Sequence, residues 1–332
     1  MSTSSSEQHD LFQHALDKSP PVLWEQYKQG EIWCGDSLAK LSNINAESVD
    51  LCFTSPPFPL LRKKKYGNKD EDEYLDWLMP FIERITTTLK ETGSLVIDLG
   101  CCWNKGQPTR STYDLKLPLR LIEELGLHFA QEFYWYNPSR LPAPAEWVTI
   151  RRERVKDSVN KILWFGKSPH PKANNSRVLQ PYSKAMEQRF GRVDEPMRPS
   201  GHKPSDSLTN VRNDGAIPSN LIALSNSNSA DPYLKYCKLN ELKPHPARFP
   251  YQIPEFFIRF LTDADDLVLD PFAGSCTTGF AAEKNNRQWI CIERDPTYVN
   301  TAPGHFCTRP EPRSSDLIAV PKPGMYASSE NN

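Results

Sequence analysis

A short polar and aromatic segment, Thr54-Ser55-Pro56-Pro57-Phe58, directly follows the apolar run Val49–Phe53. The apolar run is typical of a buried strand, and the two prolines fix the backbone and remove two N–H donors. The serine hydroxyl and the Pro56 carbonyl are therefore left to accept hydrogen bonds from a ligand. Because Phe58 can stack on a flat ring, the segment suits a site that holds an aminated ring such as a nucleobase.

A second motif, Asp270-Pro271-Phe272-Ala273-Gly274-Ser275-Cys276-Thr277-Thr278-Gly279, lies between a predicted strand and a predicted helix. Gly274 permits a close backbone approach, and the serine and threonine hydroxyls can cap the helix. Glu293 follows 23 residues after Asp270, at the position where a doubly wound fold contacts ribose hydroxyls. The motif predicts a ligand that contains adenosine, and the alternative is a glycine turn that binds nothing.

The glycine content of this turn narrows the choice of ligand. A dinucleotide fingerprint needs about three early glycines, and a triphosphate loop needs Gly-Lys-Ser/Thr, but this turn has one early glycine and no such lysine. S-adenosylmethionine carries no phosphate, its ammonium favours a carboxylate, and its ribose suits Glu293. We therefore predict cofactor contacts from seven residues: Thr54, Asp270, Phe272, Gly274, Ser275, Thr277 and Glu293.

The composition indicates a soluble globular protein of 332 residues, with 38% hydrophobic and 24% charged residues. No apolar stretch reaches the length of a membrane span, and residues 1–20 lack an apolar export signal. The net charge of −1 argues against a generic polybasic coat. The eight cysteines form no CxxC pair, so we predict no metal site and a reducing cytoplasm.

Strand-like and helix-like segments alternate on both sides of an irregular middle, which predicts an α/β fold with a doubly wound, mostly parallel sheet. We predict strands at 31–34, 49–54, 94–98, 129–136, 161–165, 266–270 and 288–292. We predict helices at 71–89, 115–125, 254–261, 277–283 and from 295 onward. The predicted divisions are a flexible leader at 1–25, a first half at 26–167, an irregular insertion at 168–247, a cofactor half at 248–306 and a flexible tail at 307–332.

The two motifs together resemble the amino-methyltransferases of DNA, in which adenine enzymes usually carry Asp-Pro-Pro-Tyr in place of Ser-Pro-Pro-Phe. The catalytic half precedes the cofactor half here, as in the circularly permuted β class. The likeness covers about residues 30–305 and includes five further blocks: Gly35–Leu38, Phe133–Pro138, Arg154–Asp157, Arg198–His202 and His245–Pro250.

This resemblance implies a Rossmann-like sheet in which Asp36 contacts the cofactor adenine and residues 249–255 pack beside its methionine end. It also implies that residues 168–247 hold most of the target-recognition region. One departure is Cys276, which stands where the family often has a second glycine.

By the same resemblance, Ser55, Pro56, Pro57 and Phe58 catalyse transfer of a methyl group from S-adenosylmethionine to cytosine N4, after the base is flipped out of duplex DNA. The serine favours cytosine over adenine, because the family associates it with that base. The resemblance further implies a specific palindromic site and a type II restriction endonuclease that acts on the same site.

Four consecutive cations, Arg62, Lys63, Lys64 and Lys65, follow the catalytic segment directly. We predict that they contact DNA phosphates, which would anchor and orient the duplex without reading its sequence. The alternative interpretation is a solvated basic face.

Three other functions remain open from the sequence. The first is an adenine-N6 methyltransferase. The second is a catalytically silent DNA-binding module, which the intact Ser55–Phe58 motif and Glu293 disfavour. The third is a dehydrogenase, which the sparse glycines disfavour. A C5-cytosine mechanism needs a nucleophilic cysteine, usually in a Pro-Cys dipeptide. No Pro-Cys dipeptide occurs, so Cys52 is interpreted as strand core.

The roles of three other polar residues are less specific. Asp98 either supports the site or caps a turn, and His202 and His245 are interpreted as structural rather than DNA-contacting.

Overall fold

A single nine-stranded sheet organises the described part of the chain. The computed structural model describes residues 20–58, 71–104, 106–188, 190, 214–226 and 231–306. The strands are β1 Val22–Gln26, β2 Gly30–Cys34, β3 Val49–Thr54, β4 Leu89–Leu99, β5 His128–Tyr136, β6 Val159–Gly166, β7 Leu221–Ala223, β8 Leu267–Asp270 and β9 Gln288–Glu293. Their order across the sheet is β1-β2-β9-β8-β3-β4-β6-β5-β7.

The five neighbouring strands β2, β9, β8, β3 and β4 run parallel, whereas β1 and β6 are antiparallel to their neighbours. This arrangement confirms the predicted α/β fold with a mostly parallel sheet. The carboxyl ends of the five parallel strands meet at one edge, where ligands bind in open α/β folds.

Helices cover both faces of the sheet, and the side chains of β3 show why both faces are buried. Phe53 packs in one cluster with Phe257 and Trp289, whereas Cys52 packs in the other with Leu78, because successive strand residues point to opposite faces. The helices are α1 Ser37–Leu41, α2 Glu71–Thr88, α3 Tyr113–Leu125, α4 Lys184–Glu187, α5 Pro232–Leu239, α6 Gln252–Leu261, α7 Thr277–Lys284, α8 Pro296–Val299 and α9 Pro303–Phe306. A π-helical turn spans Glu146–Ile150, and a 3₁₀ turn spans Asn175–Val178.

Two parts of the sheet differ from the sequence-based divisions. Residues 22–25 were assigned to a flexible leader, but they form most of β1, in which Val22 lies opposite Cys34. No pattern of burial marks these residues in the sequence, because β1 is an edge strand whose Val22 and Leu23 are about half exposed. Within the predicted insertion, β7 pairs with β5, so part of 168–247 belongs to the main sheet.

Candidate active site

Ser55, the predicted catalytic serine, lies at the end of β3 and hydrogen-bonds to a buried acid at the end of β4. Ser55 Oγ donates to Asp98 Oδ2 at 3.1 Å. Asn160, on β6, holds the other side of the acid, because its Nδ2 donates to Asp98 Oδ1 at 3.0 Å. Since β4 pairs with both β3 and β6, the sheet itself fixes this contact between the three side chains.

Burial changes the acidity of this carboxyl. Asp98 is 2% exposed, and its burial raises its pKa from 3.8 to about 6, although hydrogen bonds from Asn160 and Ser55 and the charge of Arg140 act in the opposite direction. Arg140 also donates to Asn160 Oδ1 at 2.6 Å. The group is therefore ionised at neutral pH but is a stronger proton acceptor than an exposed aspartate.

The aromatic end of the catalytic segment packs on a glycine. A Cβ on Gly100, just after β4, would lie 2.4 Å from Phe58 Cε2, so only glycine allows the ring to lie against the backbone there. The Gly100 carbonyl also accepts a hydrogen bond from the buried Tyr113 hydroxyl. Pro56 is buried, whereas Ser55 and Phe58 are half-buried, so the serine and the ring face an accessible rim.

A buried carboxylate joins β3 to the predicted cofactor motif. Asp270, 1% exposed, accepts hydrogen bonds from the Thr54 hydroxyl at 2.8 Å and the Thr278 hydroxyl at 2.6 Å. It also accepts from the backbone N–H of Phe272 at 3.1 Å. These bonds satisfy the carboxylate inside the fold, so they favour a bridging role for Thr54 and Asp270 over the predicted direct contact with the cofactor.

The cofactor turn folds around Glu293. Gly274 adopts φ +53°, which favours glycine, and its N–H donates to Glu293 Oε2 at 2.7 Å. The N–H of Asp295 donates to Glu293 Oε1 at 2.8 Å. Burial raises the pKa of Glu293 to about 7, against the effect of these two hydrogen bonds. Each oxygen keeps a second lone pair, which can accept from a ribose hydroxyl.

The neighbouring loop after β2 is tied to the same turn. Asp36 caps α1 by accepting from the N–H of Ala39 at 2.9 Å, and Ser37 Oγ donates to the Pro271 carbonyl at 2.6 Å. Asp36, Gly274 and Glu293 are therefore positioned by one connected set of hydrogen bonds at the carboxyl ends of β2, β8 and β9.

Other predicted cofactor residues point into the fold. His305 Nε2 lies 3.1 Å from Ser275 Oγ and 3.4 Å from Thr277 Oγ1, and both hydroxyl-bearing residues are buried. Phe272 is half-buried and packs beside Phe81 at 5.0 Å between ring centroids. Cys276 adopts φ +64°, a left-handed conformation that favours glycine, which is the residue that the resembling family often has at this position.

The predicted DNA-binding residues Arg62, Lys63, Lys64 and Lys65 lie outside the described residues, as does His202. Cys52 is fully buried, and burial raises the pKa of its thiol, which confirms its interpretation as strand core. His245 packs its ring edge-on against Tyr298 at 4.4 Å.

The described residues contain no cluster of His, Cys, Asp or Glu that could hold a metal ion. Within the described residues, none of the helices has the length and apolar character that a membrane span requires.

Four residues of the site were not identified from the sequence: Gly100, Arg140, Asn160 and His305. Asn160 offered a signal, because it is a polar residue directly before the apolar strand predicted at 161–165. Gly100, Arg140 and His305 offered none, since each acts through a contact formed only by the folded sheet.

Comparisons with known proteins identify the family of this chain. A model of the DNA methylase family matches residues 49–303. The chain is 47% identical to the type II methyltransferase M.PvuII of Proteus hauseri over 83% of each chain. It is 29% identical to M.BglII of Bacillus subtilis over 85% of this chain and 70% of that one.

Among solved structures, the PvuII DNA methyltransferase (cytosine-N4-specific) is similar, with a TM-score of 0.70 and 41% identity over 87% of this chain and 90% of that chain. The family match covers well over half of the chain and includes both the Ser-Pro-Pro-Phe segment and the cofactor turn. The chain therefore belongs to the DNA methylase family.

Proposed function

We propose that this protein is the modification methyltransferase of a type II restriction system and transfers a methyl group from S-adenosylmethionine to the exocyclic N4 amine of cytosine in duplex DNA. The observation that carries the proposal is the hydrogen bond from Ser55 Oγ to the buried carboxylate of Asp98. The name of the solved relative, which specifies cytosine N4, supports the choice of base.

Ser55 and Pro56 prepare the amine. The amino nitrogen of cytosine is a poor nucleophile, because its lone pair is delocalised into the ring. Since the Ser55 proton is directed to Asp98, the lone pairs of Oγ face the rim and can accept an amine hydrogen. The Pro56 carbonyl accepts the second hydrogen, and the nitrogen lone pair is then free to attack.

The same pair of residues removes the proton. As the new N–C bond forms and the sulfur–methyl bond breaks, the nitrogen becomes cationic and must lose one hydrogen. Ser55 passes its own proton to Asp98 while it takes the proton of the amine, so the acid ends neutral and the product amine ends uncharged. General base assistance of this kind contributes about 10²- to 10⁴-fold in rate.

Asp36, Gly274 and Glu293 are the residues that would hold S-adenosylmethionine. When bound, it supplies an electrophilic methyl group and a neutral leaving group. The turn has only one early glycine, which suits a ligand without phosphate, and Glu293 offers carboxylate oxygens to the ribose. Asp270 positions the turn against β3 through Thr54 and so sets the distance between cofactor and amine.

The target base must leave the duplex for its N4 to reach Ser55. Phe58 would stack on the extruded ring, with Gly100 leaving room behind it. Arg62 to Lys65, which follow this ring in sequence, would bind the phosphates that flank the target. We further propose a palindromic site shared with a restriction endonuclease, and action in the cytoplasm, where bacterial DNA is found.

The test is to express the chain in a bacterial host, digest the DNA to nucleosides and identify modified bases by mass spectrometry. We expect N4-methylcytosine, and we expect none from a matched host that expresses Ser55→Ala. Sequencing of the same DNA maps the modified site. N6-methyladenine without N4-methylcytosine would refute the choice of base, and unmodified DNA would refute the activity and favour a silent DNA-binding module.

A further inference from the structure

The loop at residues 137–158, which connects β5 to β6, exposes large apolar side chains at the catalytic edge of the sheet. The exposed fractions are 80% for Leu141, 69% for Ile150 and 85% for Val155. β5 runs parallel to β4, because both are antiparallel to β6. The loop therefore begins at the same edge as Ser55 and Asp98.

Internal hydrogen bonds fix the shape of this loop. Asn137 Oδ1 accepts from the N–H of Ser139 at 3.1 Å and from its hydroxyl at 2.8 Å. Lys156 Nζ donates to the carbonyls of Pro138 and Arg140, both at 3.3 Å. The exposed apolar side chains are therefore presented by a structured loop.

Leu141 occupies a special place in the loop. Its neighbour Arg140 points inward, where it donates to Asn160, and Asn160 donates to Asp98. Leu141 itself points to solvent beside this network. Its backbone is restricted to extended conformations because Pro142 follows it, so less backbone entropy is lost when Leu141 is held against a ligand.

The surroundings of Leu141 match duplex DNA. Arg152 and Arg151, the latter paired with Glu146 at 2.6 Å, are exposed in the same loop and provide charge complementary to phosphate. Proteins that distort DNA insert apolar side chains between bases while basic residues hold the backbone. Leu141 is exposed at the edge of the sheet that carries Ser55 and Asp98, so it has the chemistry and the position for this role.

We propose that Leu141 inserts into the duplex and fills the space that the target cytosine leaves. This inference rests on the proposed function and adds a residue that keeps the base in the site. The inserted leucine, called the wedge below, stabilises the DNA conformation in which the base is extruded. It therefore matters most when the target base is paired and must be unpaired. A mismatched base flips at lower cost, so the wedge contributes little there.

The experiment uses the site mapped by sequencing and two duplexes: one fully paired, and one with a mismatch opposite the target cytosine. Methyl transfer is measured for the wild type, Leu141→Ala and the control Leu119→Ala, which removes an exposed leucine of α3. We expect Leu141→Ala to lose at least about 10-fold in kcat/KM on the paired duplex and to stay within about 2-fold of wild type on the mismatched one. Leu119→Ala should match wild type on both.

The outcomes separate the two proposals. If the wild type methylates and Leu141→Ala matches it on the paired duplex, or loses equally on both duplexes, the wedge is wrong and the proposed function stands. If the wild type methylates neither duplex, the proposed function fails and the wedge fails with it.

Discussion

Replacement of Asp98 by asparagine should abolish methyl transfer without weakening the fold. The variant keeps the shape of the side chain and one acceptor for Asn160, but its amide would donate to Ser55 where the carboxylate accepts. Ser55 then loses its proton acceptor. We expect kcat to fall at least about 100-fold, within the range for loss of a general base, while the Kd of S-adenosylmethionine stays within about 3-fold.

The stability of this variant follows from the pKa of the buried acid. Burial raises the pKa of Asp98 from 3.8 to about 6, which corresponds to about 3 kcal/mol. A raised carboxyl pKa contributes stability at acid pH that is lost as the pH rises through about 6, so at pH 8 the ionised Asp98 destabilises the native state. The neutral amide removes this penalty, and the melting temperature of Asp98→Asn at pH 8 should equal or exceed that of wild type.

The assays are transfer of a tritiated methyl group at saturating substrates, calorimetric titration of S-adenosylmethionine and thermal unfolding at pH 8. The wild-type kcat should also fall as the pH drops through about 6, because the protonated acid accepts no proton. A kcat for Asp98→Asn within 3-fold of wild type would refute the proton-acceptor role. A large drop in melting temperature would show that Asp98 is needed for the fold instead.

Three further substitutions test other parts of the site. Thr54→Val removes a hydroxyl donor from buried Asp270 and should lower the free energy of unfolding in urea by about 1–3 kcal/mol. The control Thr54→Ser keeps a hydroxyl and should lose less. Equal stability of Thr54→Val and wild type would contradict the bridging role of Thr54 and Asp270. Gly100→Ala should displace the Phe58 ring and lower kcat/KM about 10-fold or more. In a protein that already carries Phe58→Ala, it should cause no further loss of kcat/KM. A further loss in the double variant would show that Gly100→Ala acts through a contact other than the Phe58 ring. Glu293→Gln should raise the Kd of S-adenosylmethionine about 10-fold or more. The affinity of the wild type should fall as the pH drops through about 7, whereas that of the variant should not change with pH. A wild-type affinity that does not depend on pH would count against the ribose contact.

The sequence predicted those features that depend on local pattern. The apolar runs predicted β3 and β8, and the acids and glycines after them predicted which strand ends carry the site, because parallel strands bring their carboxyl ends to one edge. The sequence did not predict which polar side chains are engaged inside the fold. Asp270 was predicted to face the cofactor, but its bonds to Thr54 and Thr278 depend on how β3 and α7 pack around it.

Edge elements escaped prediction for a related reason. β1 and β7 lie at the two ends of the sheet, where side chains are partly exposed and hydrophobic periodicity is weak. β1 pairs with β2 across a short turn, whereas β7 pairs with β5, where Leu221 lies opposite Tyr134, a contact that no local window contains. The same holds for Gly100, whose importance arises only because the Phe58 ring packs on it.

The pairing of β3 with β8 has a consequence for how the protein is synthesised. Leu51 lies opposite Val268 and Cys52 opposite Leu269, so one edge of β3 finds its partner only after more than 200 further residues have left the ribosome. The pairing of β2 with β9 forms later still, because β9 is synthesised after β8. Contacts this distant in sequence slow folding, and a nascent chain that ends before β9 has the catalytic serine but an incomplete sheet. Methyl transfer should therefore begin only after translation has passed β9, however early in the chain Ser55 is made.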